Sequence, residues 1–277
     1  MKYIPKELKG NVNISPKSPL KEFFYLLVSL LGILLGIYII LGFMIDLIVP
    51  RLSPDVEKRL GTFFSQLYES NDEIGTKKEL QRILDDLTKE LSSEKGPYKI
   101  HLVPDPQVNA LALPGNNIII FTALLKEIES ENELAFVFAH EIGHFANRDH
   151  LRGFGRMLVL FAISASVLGQ DSSITDFLHH SLVNTEMQFS QRQEKMADLY
   201  ALDLLNRRYG HVAGALEFLE KMAAKETRSR LSYIFASHPY PPERIETLKQ
   251  SIEENKYSVK ETIPLKDSIT KSATCTP

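Results

Sequence analysis

The pattern of apolar and polar positions divides the chain into stretches of different character. Residues 1–22 are polar and carry five lysines, Lys2, Lys6, Lys9, Lys17 and Lys21. Pro5, Pro16 and Pro19 interrupt them, which predicts a flexible N-terminal arm. Phe23 to Ile45 then contains no charge and is built mainly of Leu, Ile, Phe and Val. That run exceeds the ~20 residues a helix needs to cross a bilayer. Gly32, Gly36 and Gly42 are compatible with it, because glycine is common in membrane helices. A signal peptide has an apolar core of about 7–15 residues and a small-residue cleavage site, which Asp46 to Pro50 does not offer. A buried globular helix shows a polar face, and this stretch has none. The expectation is an uncleaved transmembrane helix over 23–49. The lysines before it, against Arg51, Lys58 and Arg59 after it, place the N-terminus in the cytoplasm and the remaining chain on the extracytoplasmic side.

Beyond the span, two amphipathic helices are predicted over about 54–70 and 76–92. Pro54 stands at the first helical position of one, and Leu80, Ile83, Leu84 and Leu87 share a face of the other. Tyr98 to Val103 alternates like a strand. Val108 to Leu113 and Asn117 to Phe121 flank Pro114-Gly115 and read as a hairpin. Helical periodicity follows over about 122–129, 131–148, 154–168, 185–208 and 212–225. Helices, a small strand cluster, then more helices make an α+β protein with helix in the majority.

Composition narrows the function classes. The chain has 277 residues, 44% hydrophobic and 24% charged, the make-up of a folded globular protein. Lys and Arg number 32 against 35 Asp and Glu, so there is no basic footprint and no nucleic-acid partner is expected. The single cysteine, Cys275, excludes an intrachain disulfide and a thiolate-only metal site.

Candidate chemistry centres on His140-Glu141-Ile142-Gly143-His144. On a helix, two histidines four apart project from one face and can hold one metal ion. Glu141, one step round, can take a proton from a water beside that metal. Phe136, Val137, Phe138, Ile142 and Phe145 make the helix largely buried, where free imidazoles need partners. The alternatives are a surface helix carrying two solvated histidines, or a core helix with one satisfied histidine. A hydrolytic zinc site needs a third protein ligand and an open fourth position. Fifty residues after His144 comes Glu194-Lys-Met-Ala197-Asp198. Alone, a carboxylate pair four apart is common on solvated helices. After the first motif, Glu194 completes a His/His/Glu set, and Asp198 can accept the free ring N–H of a ligand histidine. No fourth ligand at sensible spacing is evident, which argues against a closed structural site. His150 is expected to cap or pair with Asp149, and His179, His180 and His211 to be surface residues.

Four blocks in order resemble metallopeptidase family forty-eight, the zincins of the CAAX prenyl protease, HtpX, Oma and BepA type. They are Val108 to Gly115 with Ile118 to Leu125, His140 to His144, Glu194-x-x-Ala197-Asp198, and Ser237-His238-Pro239 followed by Arg244-Ile245. The resemblance implies a mostly helical α+β zincin (gluzincin) domain with a small β-sheet, preceded by one transmembrane helix. It implies one Zn²⁺ held by His140, His144 and Glu194, with Glu141 as general base. Asp198 matches a position given as a proton donor in some members, whereas its place on the ligand helix favours orienting a histidine. His238 is a candidate donor to the oxyanion of the tetrahedral intermediate, or else a packing residue whose proline sets a turn. Asn109 to Pro114 fits the edge strand that holds an extended peptide in zincins, or else a plain core hairpin.

The chain departs from multi-span members. Between the histidine helix and Glu194 lies only Met157 to Leu168 as an apolar stretch, too short to cross a bilayer. A buried or interfacial helix near the cleft is expected there, and cleavage of prenylated peptides is not. The expected organisation is an arm over 1–22, the span over 23–49, the peptidase domain over 50–260 and a tail over 261–277. The expected function is that of a membrane-anchored zinc metalloendopeptidase acting on protein substrates in membrane or envelope quality control. The alternative is a zincin-fold membrane protein serving as a chaperone or binding module.

Overall fold

The structure is a computed structural model that describes residues 18–67, 74–89, 91, 97–168, 189–225, 238 and 242–269. Residues 1–17 of the expected arm, and His179, His180, Ser237, Pro239 and Cys275, lie outside the described residues, whereas the last residues of that arm, from Pro19, are already helical.

The chain opens with α1, Pro19–Ile48, whose first residue is a proline at a helix start. Pro19 therefore begins this helix, although the sequence suggested that it would interrupt one. A 3₁₀ turn at Val49–Arg51 follows, then α2 (Pro54–Leu67) and α3 (Ile74–Thr88). Three strands come next: β1 (Lys99–Val103), β2 (Ala110–Leu113) and β3 (Asn117–Phe121). The sheet order is β1-β3-β2. β2 and β3 form the expected antiparallel hairpin, with Gly115 at φ 78° in its turn. β1 pairs with β3 in parallel, Lys99 opposite Asn117 and Val103 opposite Phe121. Sheet residues alternate between two faces. Ile100, Leu102, Ala110, Ala112, Ile118 and Ile120 join the main core, whereas Leu111, Leu113, Ile119 and Phe121 cluster with Phe189 on the other face.

The helical part consists of α4 (Thr122–Leu125), α5 (Glu131–Ala146), α6 (Asp149–Leu168), α7 (Gln191–Tyr209), α8 (Ala215–Lys225) and α9 (Pro242–Asn255). α5 and α7 share the largest interface between described elements. Gly143 makes that approach possible, since a Cβ there would stand 2.8 Å from the Ala197 Cα. α5 starts at Ser130, whose side chain accepts from the Glu133 N–H at 3.1 Å, with Glu131 and Glu133 favourably placed at the positive end of the helix. Its first turn is also tied to the chain end. The Glu131 N–H donates to the Ile263 carbonyl at 2.8 Å, the Ile263 N–H donates to Asn132 Oδ1 at 2.7 Å, and Ile269 is buried in the main core. α7 starts with a capping box between Ser190 and Gln193.

Candidate active site

α5 and α7 bring His140, Glu141, His144, Glu194 and Asp198 together, every one of them buried. His140 Nε2 and His144 Nε2 face each other at 3.2 Å. Glu194 Oε1 is 3.4 Å from His144 Nε2, and Oε2 is 3.5 Å from His140 Nε2. Two ligand atoms bound tetrahedrally to one zinc at about 2.0–2.1 Å stand roughly 3.3 Å apart. All three spacings lie close to that edge length, and two nitrogens and a carboxylate suit a borderline-soft divalent ion, so the residues fit a metal.

His238 completes the cluster. Its Nδ1 lies 3.1 Å from His140 Nε2 and 3.1 Å from Glu194 Oε1. One ligand atom from each of His140, His144, Glu194 and His238 falls within 4.8 Å of all the others. This corrects the expectation that no fourth candidate ligand exists. His238 is 44 residues beyond Glu194, and spacing along a helix reveals only partners on that helix. The ring also turns its Nε2 towards Glu141 Oε1, at 3.6 Å. His238 Nε2 and Glu141 Oε2 are buried without a hydrogen-bond partner among the described residues. Such unpaired polar atoms are costly except where chemistry uses them.

Further contacts hold the side chains of this cluster in place. Asp198 Oδ1 lies 2.9 Å from His140 Nδ1, so the ring presents Nε2 to the cluster. Asp149 Oδ2 stands 3.2 Å from His144 Nδ1, and the Gln193 amide donates to Asp149 Oδ1 at 2.7 Å. Phe189 stacks on the His144 ring with centroids 3.9 Å apart. From the first turn of α9, Arg244 donates to Asp198 Oδ2 at 2.8 Å and Oδ1 at 2.6 Å, and its Nη1 reaches Glu194 Oε2 at 2.6 Å. One buried guanidinium thus holds two carboxylates of α7.

These charges set the titration behaviour. Burial alone would raise the Glu194 carboxyl, but His238, His144 and Arg244 hold it well below its ordinary value. Burial likewise opposes Asp198, and Arg244 with His140 overcomes it and holds that carboxyl low. For His140 burial prevails and lowers the pKa despite Asp198. For His144 burial also lowers, but the bonds to Asp149 and Glu194 win and push the imidazole up to about 9.

Arg244, Asp149 and Phe189 were missed as site residues. Arg244 lies in a quoted sequence block, but nothing in that block shows that a helix starting at Pro242 carries its side chain to α7. His150 does not pair with Asp149: its Nε2 lies 3.0 Å from Glu57 Oε1 of α2, while its Nδ1 lies 3.4 Å from the His144 carbonyl in the last turn of α5, the capping alternative. His211 is buried, not on the surface. Beside the cluster lies a cavity walled by Ala110, Phe136, Val137 and Phe218, which reaches Glu141 and Arg244. Ala110 is the first residue of β2, whose outer edge pairs with no strand among the described residues.

A buried His/His/Glu triad with an adjacent carboxylate that keeps one oxygen free of hydrogen bonds, beside an edge strand and an apolar cavity, defines a metal-dependent hydrolase. Comparison with known proteins gives its family. Peptidase family M48 matches residues 75–252, and the chain belongs to this family of metallopeptidases. The chain is 33% identical over 180 residues to metalloprotease LoiP of Escherichia coli strain K12, covering 62% of this chain and 69% of LoiP. It is 30% identical to mitochondrial metalloendopeptidase OMA1 of Schizosaccharomyces pombe over 57% of this chain and 47% of that protein. It is 28% identical to the beta-barrel assembly-enhancing protease of E. coli K12 over 57% of this chain and 35% of that protein. The chain thus spans less than half the length of the last two relatives.

Proposed function

We propose that this metallopeptidase is a zinc-dependent endopeptidase, anchored in a membrane by α1, that cuts protein substrates laid along the outer edge of β2. The observation that carries the reading is the convergence of His140 Nε2, His144 Nε2 and Glu194 at tetrahedral-edge spacing, with Glu141 buried beside them. Zn²⁺ held there by His140, His144 and Glu194 would supply Lewis acidity and lower the pKa of water towards 7. Glu141 takes the proton of the attacking water through Oε2, its unpaired oxygen, and passes it to the leaving amine. His238 donates to the oxyanion that develops on the scissile carbonyl. Asp198 and Asp149 fix the rings of His140 and His144, and Arg244 keeps Glu194 and Asp198 ionised. The β2 edge offers backbone N–H and C=O groups to an extended peptide, and the neighbouring cavity accepts one apolar side chain.

α1 is long and apolar enough to cross a bilayer, and only 6% of its most apolar window is buried inside the protein. That supports a single-pass anchor. The lysines before it support an extracytoplasmic catalytic domain, running over about 50–260 with a tail beyond. The name of the beta-barrel assembly-enhancing relative supports work in membrane or envelope protein quality control. The binding-module alternative loses ground because Glu141 and all three ligand residues are in place.

Metal analysis and casein cleavage by the purified full chain in detergent test the reading. Zinc near one per chain is expected, with activity abolished by a chelator and restored by Zn²⁺. Glu194→Ala should lose both metal and activity. Cleavage that persists after chelation, or full zinc content in that variant, would overturn it.

A further inference from the structure

α6 begins at the metal site and leaves the catalytic domain along α1. The contacts fix its direction. The Arg148 guanidinium donates to the carbonyls of Val49 and Leu52 at 2.8 and 2.9 Å. Further on, Arg152 Nε stands 3.7 Å from Asp46 Oδ1, and Arg156 Nη2 lies 2.8 Å from Asp46 Oδ2. A Cβ on Gly155 would stand 3.0 Å from Ile45 Cγ2. Numbers rise along α6 as they fall along α1, so the two helices are antiparallel. Burial shows how far the pairing continues. Leu34, Tyr38, Leu41 and Ile45 of α1 are half-buried at helical spacing, whereas residues 19–33 are exposed throughout. From Arg156 to Leu168 α6 rises about 18 Å, and Leu34 to Ile45 spans about 17 Å. The two lengths agree.

The sequence left this stretch as a buried or interfacial helix. It is not buried. Leu158, Ala162 and Ser166 are exposed and four residues apart, which makes one outward stripe, with Leu158 47% exposed. The stretch from Met157 to Leu168 carries no charge. The Ser166 hydroxyl donates to the Ala162 carbonyl at 2.7 Å, so its polar group is satisfied within the helix. That is the arrangement hydrocarbon demands, since no solvent there can take the hydrogen bond. The charges Asp46, Arg152 and Arg156 form one level across both helices, where the apolar runs of both end. We propose that the Met157–Leu168 half of α6 lies inside the bilayer beside α1, reaching about 18 Å into a hydrocarbon core of about 30 Å. Its Leu158–Ala162–Ser166 stripe faces acyl chains, and the Asp46–Arg152–Arg156 level marks the membrane surface. The proposal rests on the reading of α1 as a membrane span.

Depth-dependent quenching in liposomes tests it. The full chain carries Cys275→Ser and one of Leu158→Cys, Ala162→Cys or Ser166→Cys, labelled with a small fluorophore. Leu35→Cys on the exposed side of α1 is the reference inside the bilayer, and Lys249→Cys on α9 the aqueous reference. Casein cleavage confirms folding of each variant. Lipids with nitroxides on the acyl chain should quench all three α6 labels as fully as Leu35→Cys, with Ser166→Cys deeper than Leu158→Cys and Lys249→Cys unaffected. If α6 labels behave like Lys249→Cys while Leu35→Cys is quenched, α6 lies outside the membrane and the proposal fails with the anchor intact. If Leu35→Cys also escapes quenching, the anchor itself is wrong and the proposal falls with it. Oxidative cross-linking of unlabelled Leu158→Cys chains, without lipid quenching of the labelled form, would assign the stripe to a second copy and overturn the lipid assignment.

Discussion

α5 against α7 and α1 against α6 are two helix pairs assembled with the same devices. Each has a glycine at the close approach, Gly143 facing Ala197 in one and Gly155 facing Ile45 in the other. Each has arginine from one element clamping carboxylate on another, Arg244 on Glu194 and Asp198, and Arg156 with Arg152 on Asp46. Their surroundings are opposite. The groups between α5 and α7 are sealed in the core, whereas α1 has no buried residue. In the core, ions removed from water must be paired closely, and the pairing fixes ligand positions to within the tolerance of a metal. In the outer pair the charges sit at one end and the apolar residues described beyond them are at most half-buried. Similar local chemistry therefore builds a buried candidate metal site in one place and a support in the other.

The sharpest break concerns Glu141, whose Oε2 is buried without a hydrogen-bond partner among the described residues. Glu141→Gln should reduce peptide hydrolysis by about 10²–10⁴-fold while zinc content stays unchanged, measured by casein cleavage and elemental analysis. Activity near that of the unaltered chain would remove Glu141 from the proton transfer. Next in size is the pair of arginines. Arg244→Met leaves two buried carboxylates without their cation and should cost about 3–5 kcal/mol of stability. The loss should be larger after chelation, because a bound cation also compensates Glu194. Arg156→Met, whose pair is about 40% exposed, should cost no more than about 1 kcal/mol. Equal losses in thermal denaturation would erase the distinction between the two regions.

His238→Ala should keep zinc and melting temperature and lower kcat and kcat/KM together by roughly 10²-fold. A rise in turnover would show instead that His238 closes the fourth ligand position. A fall in melting temperature with normal turnover would make it a packing residue. The smallest effect separates the glycines. Gly143→Ala drives a methyl against the Ala197 backbone and should destabilise by about 1–3 kcal/mol, with weaker metal binding. Gly155→Ala meets only the flexible side chain of Ile45, so little change in metal content is expected.

The sequence revealed what is local to one helix. His140 and His144 share a face by spacing alone, as do Glu194 and Asp198, and the strand alternation with Pro114-Gly115 foretold the β2–β3 hairpin. The parallel pairing of β1 with β3 has no such local sign. Arg244 was hidden twice over. It lies 46 residues from Asp198, and it sits on α9, a helix outside the predicted helical stretches. Asp149 was placed beside His150 because they are neighbours in the chain, whereas the turn from α5 into α6 swings its carboxylate to His144 and sends His150 to Glu57. The apolar run of α6 was visible, but only the contacts with α1 show which of its faces has a protein neighbour.

The link from His144 to Asp149, to Arg152 and on to Asp46 has a mechanical meaning. Asp149 touches a metal-site histidine, and Met157, where the apolar run starts, is eight residues further along the same helix, about 12 Å of rise. With α1 as the proposed anchor, no swinging linker separates it from the catalytic centre. The enzyme would then work at a set stand-off, like a blade on a fixed post. Which bond of a membrane-bound target is cut would depend as much on its altitude above the lipid as on the residues flanking it.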